Sequence, residues 1–447
     1  MSSKGTSPTA TSGGAALEPE RRFVEFQDEG PWATVPLASV AKISTEKVRD
    51  NTCIPMSITS GVGLVSQMEK FGRVIAGDSY KNYLLLKKHD FAYNKSATKE
   101  YPEGFIALYA GEKLAAVPNS IFTCFRIKGE SPSPQYLNYL FLGNLHGRWL
   151  RKFIEVGARA HGSLSINDSD LMALPVPVPA GSNSLKEQQK IADCLDSVDA
   201  LITAQGRKVE ALRGHKKGLM QQLFPQEGET QPRLRFPEFE RAGEWEGVPL
   251  SKMVNGLDAG VSVNSGDRPA MNNEIGVLKT SAVTSGIFEP LENKVVFDDE
   301  EISRVKEPVH ADTIIISRMN TPALVGASAY VRNSLPNIFL PDRLWAAKPR
   351  RGTSMRFLAF ILGSDRGRAA LSSLAGGSSG SMKNIAKSDI LAILLTVPSP
   401  PEQQRIADCL TSLDDLIAAE MRKLDTLRTH KKGLMQQLFP RVGEADA

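Results

Sequence analysis

Two groups of side chains in this sequence carry dense hydrogen-bonding and charge capacity. The first comprises Lys70, Arg73, Tyr80, Lys81, Asn82, Tyr93, Asn94 and Lys95. The second comprises Lys279, Thr280, Ser281, Arg318, Asn320, Thr321, Arg343, Lys383 and Asn384. Arg, Asn, Ser and Thr can read base edges, while Lys mainly meets phosphate as a point charge. Both groups fall at expected turns and strand ends. Their chemistry is contact with a polyanion rather than bond making. Solvated loop charge is the alternative reading for any single member.

Bond-making chemistry finds little support. No GxxxxGK[ST] loop is present, which argues against a P-loop ATPase. Neither Asn-Pro-Pro-Tyr nor Asp-Pro-Pro-Tyr occurs, which argues against intrinsic amino-methylation. The run from Gly376 to Gly380 precedes Met382-Lys383 rather than bridging a strand and a helix, so it fits a flexible loop and not a dinucleotide fingerprint. The cysteines (Cys53, Cys124, Cys194, Cys409) form no CxxC pair and read as reduced thiols. The histidines (His89, His146, His161, His215, His310, His430) lack metal-ligand spacing. The acidic run Asp298 to Glu301 reads as a solvated loop.

Hydrophobic residues make up 41% of the 447 positions, enough for several packed cores. Net charge is only +4, so a polyanion site needs its cations gathered locally. No apolar run approaches a membrane span. Residues 1–17 are rich in Ser, Thr, Gly and Ala and lack an apolar core, which suggests a disordered tail rather than a signal peptide.

The elements that position these groups are set by an internal repeat. Residues 187–225 return as 402–440 at a constant offset of 215, with 28 identities in 39 positions. The closing run HKKGLMQQLFP is identical in both copies. Upstream, Trp32-x-x-Val35-Pro36-Leu37 is echoed by Trp245-x-x-Val248-Pro249-Leu250, and Gly162-Ser163-Leu164 by Gly380-Ser381-Met382. The chain is therefore two similar halves.

Within each repeated segment, apolar residues recur at alternating spacings of four and three. Ile191, Leu195, Val198, Ile202, Val209, Leu212, Leu219 and Leu223 mark the first copy, and Ile406, Leu410, Leu413, Ile417, Leu424, Leu427, Leu434 and Leu438 the second. That is a heptad seam, interrupted by Gln205/Glu420 and Lys216/Lys431. Pro225 and Pro440 stop the helices. Helices of roughly 37 residues would be about 55 Å long. Antiparallel pairing of one with the other is the simplest way to bury both seams. The near-identity extends beyond the seam to the outward residues Arg207, Lys208, Arg213, His215 and Lys217, with Arg422, Lys423, Arg428, His430 and Lys432 in the second copy. A surface repeated twice suggests one kind of partner bound twice.

The remaining regions read as mixed α/β and differ greatly from each other away from their edges. Tyr83–Leu86, Ile121–Phe125 and Thr313–Ile316 are expected strands, and Pro134–Leu145 and Ser354–Leu374 expected helices. The expected boundaries are a disordered tail (1–22), a first globular region (23–185), a helix (186–225), a linker (226–244), a second globular region (245–400), a second helix (401–440) and a tail (441–447).

The paired EQQxIAxxL…HKKGLMQQLFP segments resemble the conserved regions of Type I restriction-modification specificity subunits. Asp90-Phe91-Ala92-Tyr93-Asn94-Lys95, Ile316-Ser317-Arg318-Met319-Asn320-Thr321, Val325-Gly326-Ala327, Leu340-Pro341-Asp342-Arg343-Leu344-Trp345 and Leu234-Arg235-Phe236-Pro237-Glu238-Phe239 are similar to motifs of that family. The resemblance covers about residues 23–440 and implies an α+β chain: two mixed α/β target recognition domains in pseudo-twofold repeat, separated by two long antiparallel coiled-coil helices. It implies that each domain reads half of a bipartite double-stranded DNA target and that the helices set the spacer. It also implies docking of two methyltransferase subunits and two restriction subunits, in a bacterial or archaeal cytoplasm. The chain itself would be non-catalytic and hold no cofactor. S-adenosylmethionine would belong to the methyltransferase partner, and ATP and Mg2+ to the nuclease partner. A coiled-coil scaffold binding only protein, an enzyme with a hidden site and a methylation-only role are the competing expectations.

Overall fold

The computed structural model describes residues 17–59, 61–154, 164–226, 228–376 and 382–441. Gly162-Ser163 and Gly380-Ser381, His161, most of the glycine run and the outer tails lie outside the described residues. The chain divides into two compact units. Unit 1 comprises residues 1–206 and 423–447, and unit 2 residues 207–422.

Unit 1 contains β1 (Ala33–Pro36), β2 (Ala41–Ser44), β3 (Ile54–Thr59), β4 (Gly63–Ser66), β5 (Leu84–Leu86), β6 (Phe91–Asn94), β7 (Phe105–Leu108), β8 (Ala115–Val117), β9 (Phe122–Ile127) and β10 (Pro175–Val178). Among the described residues they pair as β1-β10, β2-β9-β6-β7 and β4-β3-β8-β5. Strand β6 is buried on both faces, consistent with its run of Phe91, Ala92 and Tyr93.

Unit 2 contains β11 (Glu246–Pro249), β12 (Val254–Ala259), β13 (Ile275–Leu278), β14 (Asn293–Val296), β15 (Pro308–Val309), β16 (Thr313–Ser317), β17 (Met319–Asn320), β18 (Ser328–Val331), β19 (Leu335–Phe339), β20 (Leu344–Pro349), β21 (Lys383–Asn384) and β22 (Leu394–Val397). Its sheets are β11-β22, β12-β20-β16-β18 and β14-β13-β19-β15, with a small β17-β21 ladder. The order matches unit 1 strand for strand. Even the parallel pair recurs, β3 with β8 and β13 with β19.

Both expected short helices are broken. Pro134–Leu142 stops before Asn144, which takes a left-handed φ of 61° ahead of Leu145–Leu150. Met355–Gly363 and Asp365–Ser373 are separated by Ser364, whose extended ψ of 158° ends one helix. The Ser364 Oγ then caps the next by accepting from Gly367 N at 3.1 Å. The break follows from a good capping residue placed where the apolar face must turn.

The long helices span Ser184–Leu223 and Pro400–Leu438, each ending two residues before its proline. Unit 1 holds the start of the first and the end of the second; unit 2 holds the complement. They run antiparallel. In unit 2, Lys208 pairs with Glu420 and Lys216 with Asp414, so numbers rise along one helix as they fall along the other. In unit 1, Lys431 meets Asp199 at 2.7 Å. Seam residues Leu195 and Leu410 are fully buried, and each such leucine contributes roughly 1.5–3 kcal/mol.

The repeat reaches further upstream than the sequence suggests. Arg22 and Glu187 form a buried two-pronged ion pair at 2.7 Å, and Arg235 and Glu402 form the same pair at 2.7 Å. Arg22 Nη1 also donates to Glu29 O and Gly30 O, as Arg235 Nη1 does to Ala242 O and Gly243 O. Arg21 N donates to Gln437 O and Leu234 N to Gln222 O. Residues 17–22 are a docked segment rather than tail, and part of the expected linker 226–244 is its structural counterpart.

Candidate nucleic-acid interface

The central strand of each unit supplies the frame. In unit 1, Phe91 pairs with Phe125 and Asn94 with Phe122; in unit 2, Ile314 pairs with Ala347 and Ser317 with Leu344. Asn94 and Ser317 therefore end equivalent strands, and Lys95 and Arg318 leave at the same point. Lys95 N donates to Ile121 O at 2.9 Å, and Arg318 N to Arg343 O at 3.1 Å. Leu164 N returns to Lys95 O at 2.7 Å, as Ile385 N returns to Arg318 O at 2.9 Å. Four backbone hydrogen bonds thus fix two cations in matching settings.

In unit 2 this strand exit gathers most of the expected contact residues. The β17-β21 ladder sets Met319 opposite Asn384 and Asn320 opposite Lys383. Arg318, Asn320, Thr321, Arg343, Lys383 and Asn384 all lie on this ladder or within a residue of the backbone hydrogen bonds at its base. The Arg318 guanidinium lies 5.6 Å from the Trp345 ring centre. Thr321 and Arg343 are exposed, and Arg318, Asn320 and Lys383 are half-buried. Asn320 Nδ2 donates weakly to Ser317 Oγ at 3.3 Å. Lys279 and Ser281 follow β13 in the other sheet and are engaged by Glu292, at 3.6 Å and 2.6 Å. The neighbouring cation and hydroxyl hold the Glu292 carboxyl below its ordinary range, with the Ser281 hydrogen bond the largest cause.

In unit 1 fewer expected residues are available. Tyr93 is enclosed in the core, its hydroxyl donating to Glu103 O at 2.8 Å, and burial pushes its phenol far up. Tyr80 is pinned to Cys53, accepting from its N–H at 2.8 Å and donating to its carbonyl at 2.5 Å. Asn94 is buried and accepts from Ser96 N at 3.0 Å. In all three the side-chain oxygens already have partners within unit 1: Tyr93 and Asn94 on a strand buried on both faces, and Tyr80 against the Cys53 backbone. Lys70 is exposed and leans back to donate to Ile58 O. Arg73 and Lys81 are exposed, and Lys95 is half-buried.

The outward helix residues are exposed as expected: Arg207, Lys208, Arg213, His215 and Lys217 in one copy, Arg422, Lys423, Arg428, His430 and Lys432 in the other. Arg213 and Arg428 each pair with the acid three residues earlier, Glu210 at 2.8 Å and Asp425 at 3.3 Å. Lys217 lies 3.9 Å from Asp365. The sequence reading overlooked Leu201 and Leu416, equivalent leucines that are 57% and 43% exposed on the repeated helices. An apolar side chain held in water at the same place in both copies marks a surface that a partner can cover. Their equal offset in the repeat was the available signal.

Part of the near-identity has a structural cause instead. Glu187/Glu402 hold the clamping arginines Arg22 and Arg235. Gln188/Gln403 accept from Ser133 N at 2.8 Å and Ser354 N at 3.2 Å, the capping residues of the adjoining helices. Among the described residues there is no group of three side chains that could hold a metal ion, and no helix long and apolar enough to cross a membrane.

Residues 244–429 match the family described as the Type I restriction modification DNA specificity domain. The chain is 25% identical over 346 residues to a putative type I restriction enzyme MjaX specificity subunit of Methanocaldococcus jannaschii, covering 75% of this chain and 74% of that protein. It is 24% identical over 294 residues to the MjaVIII specificity subunit of the same organism, covering 64% and 66%. The S subunit of a Type I system from M. genitalium superposes with a TM-score of 0.55 at 14% identity, over 96% of this chain and 100% of that one, a likeness of fold. Together these findings make the chain similar, in the sequence of its second half and in fold, to specificity subunits of Type I restriction-modification systems.

Proposed function

We propose that this chain reads DNA for a Type I restriction-modification complex and performs no catalysis itself. Each unit contacts one half of a bipartite double-stranded target, and the long helices set the spacing between the halves. Two methyltransferase subunits dock on the repeated outward helix faces, with Leu201 and Leu416 as apolar anchors, and two restriction subunits join them. S-adenosylmethionine then resides in the methyltransferase, and ATP and Mg2+ in the nuclease. The observation that carries this reading is the matching strand order of two units whose sequences differ. One frame used twice with different side chains suits two readers of different short sequences.

The test is co-expression with the adjacent methyltransferase in a methylation-free host, followed by single-molecule mapping of modified adenines. One split motif with a fixed spacer is expected. An assembled complex that leaves no modified motif and shows no salt-dependent DNA binding would favour a protein-binding scaffold. Charge reversal at Arg213 and Arg428 together is expected to abolish co-purification of the methyltransferase. Undiminished co-purification would remove the helices as the docking surface.

A further inference from the structure

The equivalence of Lys95 and Arg318 permits a sharper assignment, which rests on the DNA-reading function proposed above. Both residues leave the central strand at one structural position, fixed by matching backbone hydrogen bonds on either side. Both are half-buried. Among the described residues neither cationic group makes a hydrogen bond or an ion pair. Elsewhere in both units, partly buried cations are matched: Arg22 to Glu187, Arg126 to Asp90 and Arg235 to Glu402. An uncompensated cation at the same place in two otherwise divergent units is best explained by an external anion or acceptor.

The surroundings differ in one respect. The residue beside Arg318 on the neighbouring strand is Trp345, over which the guanidinium sits at 5.6 Å. The residue at the matching position in unit 1 is Thr123, paired opposite Tyr93 as Trp345 is opposite Ile316. Its hydroxyl is already engaged by Asp168 at 2.9 Å. A cation–π contact with an indole face limits the directions that a guanidinium fork can take. A fixed fork suits bidentate recognition of guanine O6 and N7. An ammonium without such a ring contact suits a phosphate, which demands no such orientation.

We infer that the strand-exit cation is one contact point used in two modes: Arg318 reads a guanine in the half-site of unit 2, and Lys95 grips a backbone phosphate at the corresponding place in the half-site of unit 1. The step involves contact only, with no bond made or broken.

The experiment uses the full chain assembled with its methyltransferase. Methylation rate and DNA affinity are measured on the mapped target, on every single-base variant of it, and across a salt series. Arg318→Lys keeps the charge and removes the fork. It is expected to lower discrimination at one G·C pair of one half-site by roughly 10–100-fold while leaving the other half-site unchanged. Lys95→Ala is expected to weaken all target variants by the same factor and to reduce the slope of log affinity against log salt by about one. Uniform loss across all variants for Arg318→Lys would overturn the reader assignment, as would loss of single-base discrimination for Lys95→Ala. Hydrogen exchange on Arg318→Lys separates contact from misfolding, because a structural role would loosen β16 in the absence of DNA. If the unaltered complex binds no DNA, the underlying functional reading fails, an outcome distinct from any of these.

Discussion

Units 1 and 2 share strand order, parallel pairing, glutamines that hold the helix-capping serines and buried arginine clamps, yet differ in what their strand exits present. In unit 2 the exit is a short ladder carrying Asn320, Lys383 and Asn384, with Arg318 at its base. In unit 1 the corresponding stretch follows a fully buried β6, and Tyr93 and Asn94 are spent on the fold. The comparison separates two kinds of sameness. Residues repeated in both halves with matching partners hold the frame, as Glu187/Glu402 do. Positions repeated in place but not in residue type, as Lys95/Arg318 are, carry what distinguishes the halves.

The largest test of this equivalence is to break the clamps. Glu187→Ala and Glu402→Ala each leave a largely buried arginine without its carboxylate, with Arg22 and Arg235 side chains only 10% and 9% exposed. Each variant is expected to lose roughly 3–5 kcal/mol. Hydrogen exchange should place the loss in unit 1 for the first and in unit 2 for the second. A large loss from one variant and none from the other would end the claim that the clamps are equivalent.

A second test exploits a difference. His146 in unit 1 is fully buried, and burial depresses its imidazole to about 4. The unfolded chain has the ordinary value near 6.5, so between pH 6.5 and 4 the unfolded state binds more protons. Stability is therefore full above pH 6.5 and falls by up to about 3 kcal/mol as pH drops to 4. The histidines of unit 2, His215 and His310, are exposed. Acid should loosen unit 1 first, and His146→Gln should flatten the pH dependence. Simultaneous loosening of both units, unchanged by His146→Gln, would contradict this.

The smallest effect concerns the polar seam. Asp414→Ala removes the partner of Lys216, in a pair that solvent partly screens, and should cost about 0.5 kcal/mol. Asp199 pairs with Lys431 and shares the Tyr139 hydroxyl, at 2.9 Å, with Asp196 at 2.6 Å. Asp199→Ala should cost about twice as much, roughly 1 kcal/mol. Both costs should shrink in high salt. A larger loss for Asp414→Ala than for Asp199→Ala would show that the tyrosine contact adds nothing.

Much of this was legible in the sequence. The repeat gave the two halves, and the heptad spacing, kept in step through its polar positions, gave both helices to within two residues at their ends. Short-range signals failed where a polar atom finds a partner far along the chain. Tyr93 lies between Ala92 and Asn94 in a strand that would alternate if one face were wet, but β6 is central and loses both faces. Arg22 resembled part of a tail because Glu187, its partner, lies 165 positions away. The correspondence of Lys95 and Arg318 was hidden for another reason. It rests on strand register, and the intervening loops differ in length and composition. The glycine run before Met382 lies mostly outside the described residues, so its contribution to the unit 2 exit stays an expectation.

Unit 2 is a continuous stretch of chain, whereas the core of unit 1 encloses Leu438 and Phe439 alongside Trp32 and Tyr136. A growing polypeptide can complete the later unit before the earlier one. Throughout synthesis of more than 200 residues, unit 1 waits with an open seam for its last helix. Closing it requires contacts of very long sequence separation, which are slow to form. The interval leaves its apolar surface exposed to aggregation, and chaperone demand should therefore fall on the first-made half.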